Sequence, residues 1–150
     1  MNTVLATKLH RYIIDNHPDL LVELQSERNV TAYINDKLSS VDFLFNELCA
    51  AGEPAYIIEE RCMEVLTYDL KPSKYNYIHQ LLQEEFAEQF NTWRENGTLT
   101  YEIINLITIA QPVFTHFNFS EETKDSKELY YTITGAVSEY ITRAVEKETV

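Results

Sequence analysis

Cysteine is almost missing from this chain. Two in 150 residues are too few for a disulfide scaffold. Three glycines and four prolines exclude a collagen-like, low-complexity or disordered chain. Basic residues are scarce as well: 12 Lys+Arg stand against 24 Asp+Glu, a net charge of −12. That balance argues against nucleic acid as a partner, because phosphate binding needs cations. Long apolar runs are absent. The longest uncharged stretch, Ile103 to Ser120, contains Pro112 and several polar residues, so no membrane span is expected. The start, Met1-Asn2-Thr3-Val4-Leu5-Ala6, lacks the basic and apolar regions of a signal peptide, and the expected location is the cytoplasm. The glycosylation-type triplets at Asn29, Asn96 and Asn118 therefore read as chance.

What is present is helical periodicity. The 45% hydrophobic share suffices for a core at this length. No linker, repeat or charge segregation interrupts the chain, so residues 1–150 are expected to form a single domain. Leu5, Leu9, Tyr12 and Ile13 share one face of a first helix that ends before His17-Pro18. Val30, Ile34, Leu38, Val41, Phe45 and Leu48 predict a second, capped by Gly52. Pro54 starts a third, with Ile58, Cys62, Val65 and Leu66 on its apolar face. Ser73 caps a fourth, whose stripe is Ile78, Leu82, Phe86, Phe90 and Trp93, ending at Asn96-Gly97. Thr98 or Thr100 caps a fifth, apolar over most of its circumference from Ile103 to Phe117, where Pro112 predicts a kink or interruption. Ser126 caps the last, with Leu129, Ile133, Ala136, Val137, Tyr140 and Ala144 inside. Tyr130–Thr134 and Ile103–Ile107 are rich in β-formers, yet both continue a helical stripe. The expected fold is all-α: a compact bundle of about six helices, single domain.

Some of these pieces occur in a familiar order: Cys62-Met63-Glu64-Val65-Leu66, Ser73-Lys74-Tyr75, Glu85-Phe86, Pro112-Val113-Phe114, and Leu129-Tyr130-Tyr131-Thr132-Ile133-Thr134-Gly135-Ala136-Val137. Over roughly residues 55–145 the chain resembles a domain-of-unknown-function family of small acidic helical proteins from Bacteroidetes, often associated with conjugative or other mobile elements. Gln83-Glu84 depart from a more aromatic, amide-bearing pair, and the first 50 residues match poorly. The resemblance implies a bacterial cytoplasmic helical protein and carries over no catalytic residue.

The residues themselves offer little chemistry. His10, His17, His79 and His116 include no pair three or four apart, so no metal site is expected. Cys49 and Cys62 flank the Gly52 turn at heights differing by roughly 9 Å or more, beyond the reach of about 7 Å that a disulfide allows; two reduced core cysteines are expected. Glu60/Glu64 and Glu84/Glu88 are carboxylate pairs four apart on helices, read as solvated faces rather than acid–base pairs. No phosphate loop, nucleophile elbow or dinucleotide fingerprint occurs, and no cofactor is expected.

Two groups of residues suggest a partner face. Gly135 sits mid-helix, where glycine costs about 1 kcal/mol relative to alanine. It lies opposite the buried stripe, among Tyr131, Ser138 and Thr142. The bland explanation is a second helix of the same bundle packing there; the functional one is a protein partner or a second copy. Tyr68, Lys74, Tyr75 and Tyr77 cluster around Pro72, and tyrosine is enriched at interfaces. The leading expectation is a non-enzymatic protein–protein interaction or accessory protein, linked to a mobile element, that binds a protein partner or forms a homo-oligomer. One alternative is an acidic mimic of DNA that inhibits a DNA-binding protein. Another is an enzyme whose site is assembled across helices from Glu64, His79 or Glu85.

Overall fold

Nine α-helices and one 3-10 turn make up the described residues, 2–27 and 29–148, of this computed structural model. No strand occurs among them. The all-α expectation holds, but about six helices become nine: two predicted segments divide, and a helix that the periodicity does not predict opens at Pro18.

Pro18 both ends α1 (Asn2–Asn16) and opens α2 (Pro18–Ser26). Proline disfavours helix in the residue before it but suits the first helical position. The second predicted helix splits into α3 (Val30–Ser39) and α4 (Asp42–Ala50). Here the hydroxyls of Ser39 and Ser40 turn back onto the carbonyls of Asn35 and Lys37, the local competition that makes serine a weak helix interior. The fourth divides at Phe86 (φ −137°, ψ 48°) into α6 (Lys74–Glu85) and α7 (Ala87–Asn96). No glycine or proline marks that break.

α5 (Ala55–Thr67) follows Pro54, which is its N-cap rather than its first helical residue. A single 3-10 turn, Tyr68–Leu70, ends it. α8 (Leu99–His116) runs uninterrupted through Pro112. Pro112 and Thr108, whose carbonyl loses its amide partner, are both exposed, while Ile103, Leu106, Ala110 and Phe114 anchor the opposite side. α9 (Lys127–Glu148) begins at the Ser126 cap, whose Oγ accepts from the Leu129 amide at 3.3 Å. Three left-handed residues end helices: Gly52, Gly97 and Asn118 (φ +75°, +75° and +50°). At each, paired amide-to-carbonyl bonds close the last turn, the Schellman arrangement.

The chain forms two compact units, residues 1–71 and 72–150. Each has its own cluster of buried side chains where the periodicity implied a single interior. In the first, Leu5, Leu9 and Ile13 of α1 meet Ile34, Leu38, Leu48, Ile58, Cys62 and Leu66; Val65, expected inside, is exposed. In the second, α8 packs against α6, α7 and α9 around Ile78, Leu82, Trp93, Leu106, Phe114 and Ile133. No helix among the described residues is long and apolar enough to cross a membrane.

Candidate functional site

A groove of about 630 Å³ runs along α6 in the second unit. Its floor is a helical face: Ser73, Asn76, Tyr77, Gln80, Leu81, Glu84 and Glu85 recur at the three-to-four spacing that aligns side chains along a helix. Ser73 sets where that face begins, because its Oγ accepts from the Asn76 amide at 3.0 Å. Lys124, Asp125, Ser126, Lys127, Tyr130 and Tyr131 form the facing wall.

The connection that carries the wall is held by its own side chains. Asn118 takes the left-handed conformation, which asparagine tolerates better than most residues. The Ser120 amide donates to Thr123 Oγ1 at 2.9 Å, the Thr123 amide donates to Ser120 Oγ at 3.3 Å, and Thr123 Oγ1 donates to the Asn118 carbonyl at 2.9 Å. Asn118 thus ends α8 while Ser126 starts α9, and the segment between them is closed by reciprocal bonds.

At one end of the groove the Tyr130 hydroxyl lies 2.9 Å from Glu84 Oε2 and 3.0 Å from Glu85 Oε1. Gln80 Nε2 donates to the other Glu84 oxygen at 2.9 Å. A phenol has one proton, so it serves one of these carboxylates at a time. Desolvation, then the hydrogen bonds to both glutamates, push the Tyr130 phenol well above its ordinary range. In the middle, Tyr77 packs edge-on to Phe114 and Phe119. Its hydroxyl is closed off from solvent and has no hydrogen-bond partner. Desolvation, with Asp125's charge adding to it, pushes its pKa up to about 12.

Of the residues expected to form a partner face, Tyr77 and Tyr131 line this groove. Gly135, Ser138 and Thr142 lie outside it, exposed on α9. A Cβ added at Gly135 would meet nothing within 4 Å, so no helix of the described residues packs there as the bland explanation required. Lys74 and Tyr75 belong to α6 rather than to a projecting loop. Lys74 Nζ donates to Gln111 Oε1 at 2.9 Å and lies over the Phe114 ring, and the Tyr75 and Thr100 hydroxyls are 3.2 Å apart. Tyr68 is exposed in the first unit.

The other candidates are dispersed. Cys49 is exposed and only Cys62 is buried, which corrects the expectation of two core cysteines; both are free. Glu64 stands exposed on α5 in the first unit, while His79 packs edge-on to Phe90 in the second. Burial pushes the His79 pKa down. Glu85 is six residues beyond His79 on α6, on a different face. The break at Phe86 puts Glu84 and Glu88 on separate helices. No group of three or more His, Cys, Asp or Glu able to hold a metal ion occurs among the described residues. The Tyr130–Glu84–Glu85 cluster escaped sequence reasoning, because its members are 45 and 46 residues apart and no short motif joins them.

The groove and its two-unit helical setting describe a helical protein with a surface cleft. From residue 4 to residue 145 the chain matches the family described as Domain of unknown function (DUF1896), and it belongs to that family. The match takes in most of the first 50 residues, beyond the expected 55–145. A protein of known structure, described as the crystal structure of protein PG0816 from Porphyromonas gingivalis, is similar in fold. The TM-score is 0.68 at 21% identity, over 95% of this chain and 92% of that one. No curated protein matches.

Proposed function

We propose that this protein is a non-enzymatic accessory protein of the cytoplasm that holds a segment of a protein partner in the α6 groove. The observation that carries this reading is the groove itself: a helical face three turns long, walled by Tyr130 and Tyr131. Aromatic side chains of this kind give contact area at low entropic cost. The groove spans Ser73 to Glu85, about 18 Å at helical rise, the length of about five extended residues. The expected face on α9 narrows accordingly to Tyr131, and that of the Tyr68–Tyr77 region to Tyr77. A link to mobile elements rests on the family resemblance alone.

The test is selection of peptides from a displayed random library on the full chain. Peptides that bind the unaltered protein should lose binding to Gln80→Trp, which fills the groove from an exposed position, while the melting curve stays in place. Failure to select any peptide, or undiminished binding to Gln80→Trp, would overturn the reading.

A further inference from the structure

The occupant's chemistry follows from the acidic end of the groove, on the premise that the groove holds a protein segment. Two carboxylate oxygens within 2.9 and 3.0 Å of one phenol oxygen are no more than about 6 Å apart, close enough for one multi-donor cation to bond both. Among the described residues, no lysine or arginine lies within ion-pair distance of either glutamate. Lys124 pairs with Glu121 at 2.7 Å, and the remaining pairs engage other acids. Lys127 lines the same groove without joining one.

We infer that the groove recognises a basic extended segment of a protein partner, with one arginine side chain set between Glu84 and Glu85. A guanidinium is planar and carries five donors, enough to bond both carboxylates while Tyr130 keeps its own bond. The exposed ring of Tyr131 beside it offers a face for stacking. The net charge of −12 attracts such a segment at long range.

The experiment uses the library-selected peptides and, for each, a twin with arginine replaced by citrulline, the uncharged isostere. Binding is read by fluorescence anisotropy on the unaltered chain and on Glu84→Gln/Glu85→Gln, which keeps acceptors for Tyr130. Selected peptides should carry arginine. The citrulline twin and the double variant should each weaken binding by about tenfold or more, and the double variant should no longer distinguish arginine from citrulline. Groove-dependent binding that ignores both changes overturns the arginine assignment and leaves the groove reading standing. A selection that yields no peptide sinks the groove reading itself. Two further results would also overturn the proposal. One is self-association by sedimentation that disappears in the double variant, which would put a second copy in the groove. The other is displacement of the peptide by millimolar calcium.

Discussion

In residues 1–71 two ion pairs tie one element to another. Lys8 Nζ of α1 lies 2.8 Å from Glu59 Oε2 of α5, and Lys37 Nζ of α3 lies 2.5 Å from Asp69 Oδ1 of the 3-10 turn. Residues 72–150 are tied differently. Tyr130 of α9 bonds Glu84 and Glu85 of α6, Tyr140 Oη donates to Glu102 Oε2 of α8 at 2.6 Å, and the ion pairs there are short-range, Lys124–Glu121 and Arg143–Glu139. Each unit has six basic and twelve acidic residues, so the difference does not come from charge supply. It comes from where the cations fall. In the second unit the carboxylates that face a neighbouring helix find phenols, which are neutral donors, and the Glu84–Glu85 pair is left short of a cation. A structural habit of that unit thus produces the proposed binding end.

Core deletions should have the largest effect and set the scale for both units. Phe114, 1% exposed, is the bulkiest fully buried side chain in the second unit, and Leu9 is fully buried in the first. Phe114→Ala should cost about 3–5 kcal/mol and Leu9→Ala about 2–5 kcal/mol. The protein's sole tryptophan, Trp93, is buried in the second unit. Its fluorescence follows Phe114→Ala directly, and far-UV circular dichroism in denaturant follows both. A loss below 1 kcal/mol for either would mean that the site is not packed as described.

Next come the phenols. Tyr140→Phe removes a hydrogen bond to a carboxylate, worth about 1.5–3 kcal/mol. Desolvation, then the bond to Glu102, push the Tyr140 pKa up to about 12, matching Tyr77. A folded-state pKa above the unfolded value near 10 means that the folded form holds its proton longer. The stabilisation is full below pH 10 and is lost as pH rises toward 12. Denaturant midpoints read from Trp93 should fall over that window, and less steeply in Tyr140→Phe. At the acid side the sign reverses. Burial is the chief cause lowering the pKa of His17 in the first unit, where its Nε2 has no partner, and that of His79 in the second. Their contribution is present above the unfolded value near 6.5 and is lost as pH falls below it.

How much of this was legible in the sequence differs between the levels. The stripes of α1, α5, α8 and α9 were, since one buried face at helical spacing is a local pattern; so were the Ser73 and Ser126 caps and the Gly52 and Gly97 stops. Phe86 was not, because its break brings α6 and α7 to one core without any breaker residue. The division into two buried clusters is hidden because both halves carry the same numbers of acidic and basic residues and the same helical periodicity. At the groove, helical spacing places Tyr77 and Tyr131 on their helices but does not bring them to one cleft, and the Tyr130–Glu84–Glu85 cluster depends on packing that no spacing rule reports.

The glycines give a smaller test. Gly135 is helical and open, while Gly97 has φ +75°. Gly135→Ala should therefore stabilise the chain by about 1 kcal/mol, and Gly97→Ala should destabilise it by about 1–2 kcal/mol. Thermal melts followed at Trp93 read both. A Gly135→Ala variant that loses stability would mean that something packs on that face of α9 after all.

The smallest effect separates the two kinds of tie. A double-mutant cycle on Lys8→Met and Glu59→Gln should give a coupling of about 0.2–1 kcal/mol, because the lysine side chain is 48% exposed and the pair is solvated. A cycle on Tyr140→Phe and Glu102→Gln should give more, since the phenol is half-buried and its bond is charge-assisted. Salt then distinguishes them. At about 1 M the screening length drops to about 3 Å, so the Lys8–Glu59 coupling should vanish, whereas a short bond from a neutral donor keeps most of its strength. Equal loss in both cycles would mean that the tyrosine ties are surface electrostatics like the ion pairs, and the distinction between the units would reduce to geometry.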